Sequence, residues 1–572
     1  MKFSFFHLVI LVFLLPGKAV NAQVDFRMPM DIPMYLSGNF GELRTSHFHS
    51  GLDIKTGGVI GTPVYAVESG FISRIKVSPY GYGKALYIDH QNGYTSVYAH
   101  LNEYNDTITK FLREAQYKLE SFSVELIPGI QQLKVEKGDL IGWSGNSGSS
   151  GGPHLHFEIR ETATERPVNP LSLGFKVIDD VNPILKKIKL YPLNDSSWVE
   201  GFHSSREFPL SSTQGKVKLK QASPIKAGGK IGLAFNAHDQ LSGTSNYCGI
   251  YRAEIFMDEE LIFEFRFDVL DFAQRRAIHG HRDYADYQSE KVSFQRGFKL
   301  ANNPLIIYGN MVKDGALDLD VAGVHPIKLA VYDYAGNKTE LEFKIDAELT
   351  KPKTSQSVLM ADRSRMKIIE FDFESDNLFE NKNIKLSLPA GHLFETCQFE
   401  FEDLGTSDGS LTSVYHLGDS RIPLYQPMNL SIRVDPGAIP IEQLLIARKY
   451  KGKFRAEASV YSSGWISAEL DNFGDYAVLV DSIPPVVKPY DFKRNMTGYK
   501  NFSFRVADNL SGIESVNAWI DGQWVLTDFD AKRADVTYTF DSSRLIRGDH
   551  NFRIEVIDGC GNVAEYSSKF TW

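Results

Sequence analysis

The run GNSGSSGGPHLHFEIR, Gly145–Arg160, constrains this chain more than any other stretch. It sets His154 and His156 two residues apart in an apolar, strand-like segment, directly after a glycine-rich turn. In a strand, residues i and i+2 point to one face, roughly 6–7 Å apart. A metal–imidazole bond is about 2 Å long. One histidine of the pair can therefore hold a metal while the other stands just beyond it, near a water or substrate. The glycines do not form a phosphate cradle, because Gly-Lys-Ser/Thr is missing and no helix follows. Two histidines on one strand also occur by chance on surfaces, so the reading depends on what else the chain supplies.

Upstream lies HFHSGLDIKTGG, His47–Gly58. His49 and Asp53 are four residues apart, about 13 Å along a straight strand. Sharing one metal requires a bend, and Ser50-Gly51 can supply it, since glycine tolerates the dihedrals of a bend. The glycines at 51, 57 and 58 argue against a helix here. Short strands follow through Gly61–Ile88, and another, Tyr94–Leu101, carries His100 near its end. The period then changes. Asn105-Asp106-Thr107 can cap a helix, and Ile108, Phe111, Leu112, Ala115 and Leu119 form one stripe ending near Pro128-Gly129. This is a helical insertion, packing in its simplest role and a rim or lid in its functional one. Strands resume at Leu133–Val135 and Leu140–Trp143.

In order and spacing, HSGLD (His49–Asp53), YAHL (Tyr98–Leu101), VEKGDLIG (Val135–Gly142) and the opening run together resemble the lysostaphin/LytM-type zinc endopeptidases. Those enzymes cut the peptide cross-links of bacterial cell wall. The resemblance covers roughly residues 35–173. It implies that His49, Asp53 and His156 are ligands to Zn2+ and that His100 and His154 are the catalytic pair. All five positions are filled, unlike those of family members that keep the fold without the ligands. Three protein ligands with an open position is the layout of a catalytic zinc, which activates a water for hydrolysis. No glutamate stands between the ligands as in H-E-x-x-H enzymes, so histidine must act as acid and base. His47 has no role in the pattern and reads as a surface histidine. Glu158 shares the face of His156; it reads as a strand-end surface charge, with support of His156 the alternative.

Met1–Ala22 reads as a secretory signal: Lys2, an apolar run from Phe3 to Leu15, then Val20-Asn21-Ala22 before Gln23. The run is too short for a membrane span, and no later stretch is long enough. A secreted or periplasmic protein is expected. Its 572 residues exceed one core and imply three or four domains. A net charge of −9 over that length gives no reason to expect nucleic acid as a partner. Cys248, Cys397 and Cys560 are odd in number and widely spaced, so they form neither a zinc site nor a disulfide framework.

From about 175 onward short strands and polar turns indicate β-sandwiches, with no helical period of note. An internal repeat is legible. Asp180–Pro183 pairs with Asp481–Pro484, Asp239–Gly243 with Asp508–Gly512 in a D-x-L-S-G core, and Asp333–Asn337 with Asp558–Asn562 as D-x-x-G-N. These aspartates read as turn residues rather than calcium ligands.

The expected fold is mainly β: an antiparallel-sheet zinc endopeptidase domain with a helical insertion, followed by about three β-sandwich (Ig-like) domains. The boundaries are a signal at 1–22, the endopeptidase at 23–174 with its insertion at about 105–128, Ig-like units at 178–347 and 481–572, and a β-sandwich at 350–480. The expected substrate is the peptide stems of peptidoglycan, with a regulatory protein or glycan as partner for the β-domains. The alternatives are a catalytically silent wall-binding or regulatory protein and a zinc peptidase acting on a non-wall protein.

Overall fold

The computed structural model describes residues 25–213, 215–221, 224–349 and 366–572. The signal expected at Met1–Ala22 lies outside the described residues. Among those described, no helix is long and apolar enough to cross a membrane.

The first unit is a nine-stranded sheet. Its main strands are β1 (Leu36–Gly38), β2 (Leu52–Lys55), β3 (Gly70–Val77), β4 (Lys84–His90), β5 (Tyr94–Ala99), β6 (Val124–Leu126) and β7 (His154–Glu161). They run β1-β2-β7-β5-β4-β3-β6 across the sheet. All these pairs are antiparallel. The late strand β7 thus sits between two early ones and gathers residues from far apart in the chain. A helix, α1 (Asp106–Leu119), interrupts the strands, with Asn105 Oδ1 capping Ile108 N at 2.9 Å.

Residues 184–347 build a twelve-stranded sheet. The apolar core runs without a break from the first unit into this one. Phe157 packs on Phe175 at 5.0 Å between ring centres, and Phe48 on Phe267 at 5.2 Å. One segment here departs from the all-strand expectation. Phe272–Ala277 is a 3-10 turn, followed by helices Ile278–His281 and Tyr284–Glu290. Helices of four and seven residues are too short to leave a 3.6-residue period in the sequence.

Beyond residue 366, a six-stranded and a five-stranded sheet share one core, with Phe371, Phe399, Leu430, Ile466 and Tyr476 at its centre. After Asp481, two four-stranded sheets close on Phe502, Phe504, Phe552 and Phe570. Cys248 and Cys560 are buried, Cys397 is half-buried, and none forms a disulfide.

The repeat is present with one change of register. Asn337 Nδ2 donates to Asp179 O at 3.1 Å, and Asn562 Nδ2 to Asp481 O at 2.9 Å. Asp179, not Asp180, is therefore the counterpart of Asp481. Each lies five residues before the strand it leads into, Ile184–Pro192 or Val486–Pro489. The sequence pairing set Pro183 against Pro484, whereas Pro485 is the residue that directly precedes the strand, as Pro183 does.

Candidate metal centre

Strand β7 alternates between two worlds. Leu155, Phe157 and Ile159 are fully buried in the core. His154, His156, Glu158 and Arg160 occupy the opposite face, as the two-residue period requires. That polar face is also covered: His156 is 4 % exposed, Glu158 0 % and Arg160 5 %. Phe272 of the second unit forms part of the cover, lying 4.5 Å from the Arg160 guanidinium.

Register brings the first residues together. His156 pairs directly with Asp53 on β2 and with Ala99 on β5. Side chains of such partners share a face. His49 lies in the turn before β2, where the chain does bend. Gly51 has an ordinary φ, since it is not among the residues with positive φ. It is required for another reason: a Cβ there would stand 2.3 Å from Phe157 O. The glycine lets the His49 turn press against β7.

The result is a small triangle. His49 Nε2 lies 3.0 Å from Asp53 Oδ1 and 3.0 Å from His156 Nδ1, and His156 Nδ1 lies 2.9 Å from Asp53 Oδ1. Tetrahedral ligation at about 2.0–2.1 Å needs ligand atoms about 3.3 Å apart. The hydrogen-bond partners fix the tautomers. His49 Nδ1–H donates to Asn39 O at 2.8 Å, and His156 Nε2–H donates to Glu158 Oε1 at 2.7 Å. The nitrogens facing each other are then both lone-pair atoms, aimed with a carboxylate oxygen at one point. With both rings neutral, such a set suits a cation, a role that a proton on His156 otherwise fills. Burial alone would lower the His156 imidazole, but the Asp53 and Glu158 carboxylates outweigh it and push it up to about 9. Burial would likewise raise Asp53, yet the imidazoles around it hold its carboxyl well below the usual range.

Glu158 is not the surface charge the sequence reading favoured. Its Oε1 accepts from His156, from Ser50 Oγ at 2.6 Å and from Tyr82 OH; its Oε2 accepts from Arg160 Nε at 2.7 Å. Despite burial, Arg160 and then His156 keep the carboxyl ionised and shift it down. The expectation failed because Ser50 and Tyr82, which donate to Glu158, lie 108 and 76 residues away, so no local pattern announces them. Asn39, Arg44 and Tyr82 also escaped the sequence reading. Arg44 Nη2 holds Asp53 Oδ2 at 2.7 Å. Asn39 exchanges two bonds with Gly249 of the second unit, at 2.7 and 2.8 Å, and so ties the His49 loop to it.

His100 and His154 stand beside the triangle with ring centres 4.9 Å apart. His100 leaves β5 with φ 58, a left-handed conformation that turns its ring out of the strand's alternation. Its Nδ1–H donates to Ser147 O at 2.9 Å, and His154 Nδ1–H to Gly152 O at 2.8 Å. Nε2 of each ring is the nitrogen left for proton transfer, and His154 Nε2 lies 3.3 Å from Asp53 Oδ1. Burial, with His156 and His154 nearby, pushes His100 down to about 3, so it is neutral at physiological pH. The glycine-rich loop earns its composition here: a Cβ on Gly148, φ +67, would meet Gly81 O at 2.4 Å.

A cleft of about 240 Å³ opens onto His49 and His156, with His47 at its exposed rim and Phe272, Arg275 and Ile306 of the second unit as its far wall. None of its lining residues comes from 105–128. Helix α1 instead meets the last unit, Tyr117 against Trp524 at 5.4 Å and beneath Arg544 at 3.7 Å.

Residues 47–116 and 117–170 match peptidase family M23, and residues 369–481 match the Zu5-like domain. The DD-carboxypeptidase/endopeptidase Mpg of Neisseria meningitidis is 34% identical over 163 residues, 28% of this chain and 31% of that protein. The peptidoglycan DD-endopeptidase ShyA of Vibrio cholerae is 30% identical over 161 residues, 27% of this chain and 31% of ShyA. Lysostaphin of Staphylococcus simulans is 32% identical over 139 residues, 24% of this chain and 21% of lysostaphin. The chain spans less than a third of the length of these relatives. The part of the chain that matches peptidase family M23 is thus the part that carries β7 and the His49, Asp53 and His156 cluster.

Proposed function

We propose that this protein is an exported zinc-dependent endopeptidase that hydrolyses the peptide cross-links of peptidoglycan. The observation that carries the reading is the convergence of His49 Nε2, Asp53 Oδ1 and His156 Nδ1 within 3.0 Å of one another, beside the His100–His154 pair. The M23 match, the relative named a peptidoglycan DD-endopeptidase and the one named a DD-carboxypeptidase/endopeptidase support it. His49, Asp53 and His156 would hold Zn2+. The ion supplies a Lewis acid for a peptide carbonyl and lowers the pKa of water.

The chain's own groups do the rest. A C–O bond forms and the C–N bond breaks, so one proton must leave the attacking water and one must reach the departing amine. His100, neutral and with Nε2 unblocked, can take or relay that proton, and His154 can do the same from the other side. Tyr82, Phe272 and Arg275 narrow the approach to the cleft and limit bulk water. The signal read at Met1–Ala22 supports export, and the sheets at 178–347 and 481–572, with their matching turns, support two copies of an Ig-like unit. We assign these units to binding wall, glycan or a regulatory protein.

The test is digestion of purified peptidoglycan by residues 23–572, with zinc quantified, alongside a chelated sample and His156→Ala. Cross-link peptides released by the zinc-bound protein and lost in both controls are the expected result. Bound zinc with no digestion of peptidoglycan but cleavage of a protein substrate would move the assignment to a non-wall peptidase. Absence of both zinc and digestion would leave a silent binding protein.

A further inference from the structure

The repeated turns bring together residues that the peptidase chemistry does not use. Asp179, Asp239 and Asp333 converge in one unit, and Asp481, Asp508 and Asp558 in the other. Within each trio, one carboxylate oxygen per residue lies within 4.8 Å of the other two. Oxygens held by one calcium ion at about 2.4 Å can be no further apart than about 4.8 Å. Four of these residues are almost fully enclosed: Asp239, Asp481 and Asp558 are each 1 % exposed, and Asp333 3 %.

Turn bonding explains only part of this arrangement. Asp333 Oδ1 accepts from Gly336 N and Asn337 N at 2.7 and 2.9 Å, and Asp558 Oδ1 from Cys560 N and Asn562 N at 2.9 Å each. Asp179 Oδ1 accepts from Ser242 N, and Asp481 Oδ2 from Ser511 N. In both trios, however, a buried carboxylate oxygen has no hydrogen-bond partner: Asp239 Oδ1 and Asp179 Oδ2 in one, Asp481 Oδ1 and Asp508 Oδ1 in the other. Among the described residues no lysine or arginine forms an ion pair with either trio. A buried carboxylate oxygen left without donor or counter-ion is costly. Paying that cost twice, at matched positions in two sheets, is a pattern that turn formation does not require.

We propose that each trio is a site for a hard divalent cation of the calcium class. Carboxylate oxygens are the ligands such ions prefer, with water completing a shell of 6–8. Both sites lie where the chain enters a unit. Asp179 follows the M23 domain, and Asp481 ends the Zu5-like match, its N–H bonded to Gln443 O at 2.8 Å. An ion there ties the entering segment to two turns of the unit it enters and stiffens the junction. In the trio of Asp239 a proton competes with such an ion: burial, with Asp179 and Asp333 beside it, pushes the Asp239 carboxyl up to about 7.

The test is calcium binding by the zinc-loaded protein at pH 7.5, by equilibrium dialysis with radioactive calcium up to 5 mM. Two ions per chain are expected, with affinities on the order of 0.1–1 mM, as in extracellular modules. Asp239→Asn and Asp481→Asn should each lower the count to one, and the double variant to none, while His156→Ala keeps both ions. The last arm separates these sites from the proposed zinc centre. Circular dichroism and zinc content check that the variants fold, and limited proteolysis at 175–183 and 478–486 should slow several-fold with calcium in the unmodified protein. No calcium bound at 5 mM, or binding unchanged in both aspartate variants, overturns the proposal.

Discussion

Glu158 offers the sharpest test of how the centre is built. Its carboxylate sits under His156 with no solvent exposure and receives four donors: His156 Nε2, Ser50 Oγ, Tyr82 OH and Arg160. Glu158→Gln keeps the shape, removes the charge and turns one oxygen into a donor facing other donors. Two separate effects follow. A carboxylate behind a ligating imidazole fixes its tautomer and raises its basicity, and losing such a partner typically weakens metal binding 10–100-fold, about 1.4–2.7 kcal/mol. Arg160, 5 % exposed, also loses its main buried partner, and breaking such a pair costs about 3–5 kcal/mol of folding stability.

The two effects are read by different assays. Zinc affinity comes from competition with a chromophoric chelator, and stability from urea unfolding of the zinc-free protein. Ser50→Ala is the control, since it removes a neutral donor from the same oxygen and should change zinc affinity less than about threefold. If Glu158→Gln unfolds more easily yet binds zinc within twofold of the unmodified protein, Glu158 only neutralises Arg160, and the support of His156 argued from the 2.7 Å contact is wrong.

Other perturbations probe the frame around the centre. Asn39→Ala strips Gly249 of a donor and an acceptor in a buried setting and should cost about 2–4 kcal/mol in urea unfolding; an unchanged midpoint would show that the two units do not depend on this tie. Gly51→Ala puts a Cβ 2.3 Å from Phe157 O, so β7 or the His49 turn must shift, and zinc affinity should fall at least tenfold with His49, Asp53 and His156 all intact. Acid should weaken the second unit. Burial pushes His279 and His281 down to about 3, against 6.5 for the ordinary imidazole. Between those values the unfolded chain binds more protons, so stability falls with acidification by up to about 1.4 kcal/mol per pH unit for each histidine. Urea midpoints at pH 7, 6 and 5 check this, and His281→Asn should flatten the slope.

What could be read in advance divides along a physical line. The i, i+2 rule put His154 and His156 on one face, whereas the five-residue set was legible only through the resemblance of four short motifs, in order and spacing, to a known family. In the structure cross-strand register sets Asp53 opposite His156, while the turn before β2 brings in His49 and a left-handed residue after β5 brings in His100. Local rules also showed that the chain must bend between His49 and Asp53. They missed why Gly51 is there, since close approach to Phe157 is a contact between residues over 100 positions apart. Glu158 failed in the same way: alternation gave its face, but whether a face is wet depends on what lies over it. Here Ser50 and Tyr82 lie against Glu158, and Phe272, in a turn too short to show a period, lies against its neighbour Arg160. The repeat aspartates mark the limit from the other side. Turn chemistry accounts for Asp333 and Asp558, which receive backbone N–H groups, and it was the right local reading for them. It does not account for Asp239, whose buried oxygen has no donor, and only the folding of three turns to one point makes that visible. Burial of a charged group is set by elements distant in sequence, so it is at buried charges that a sequence reading fails and function is to be sought.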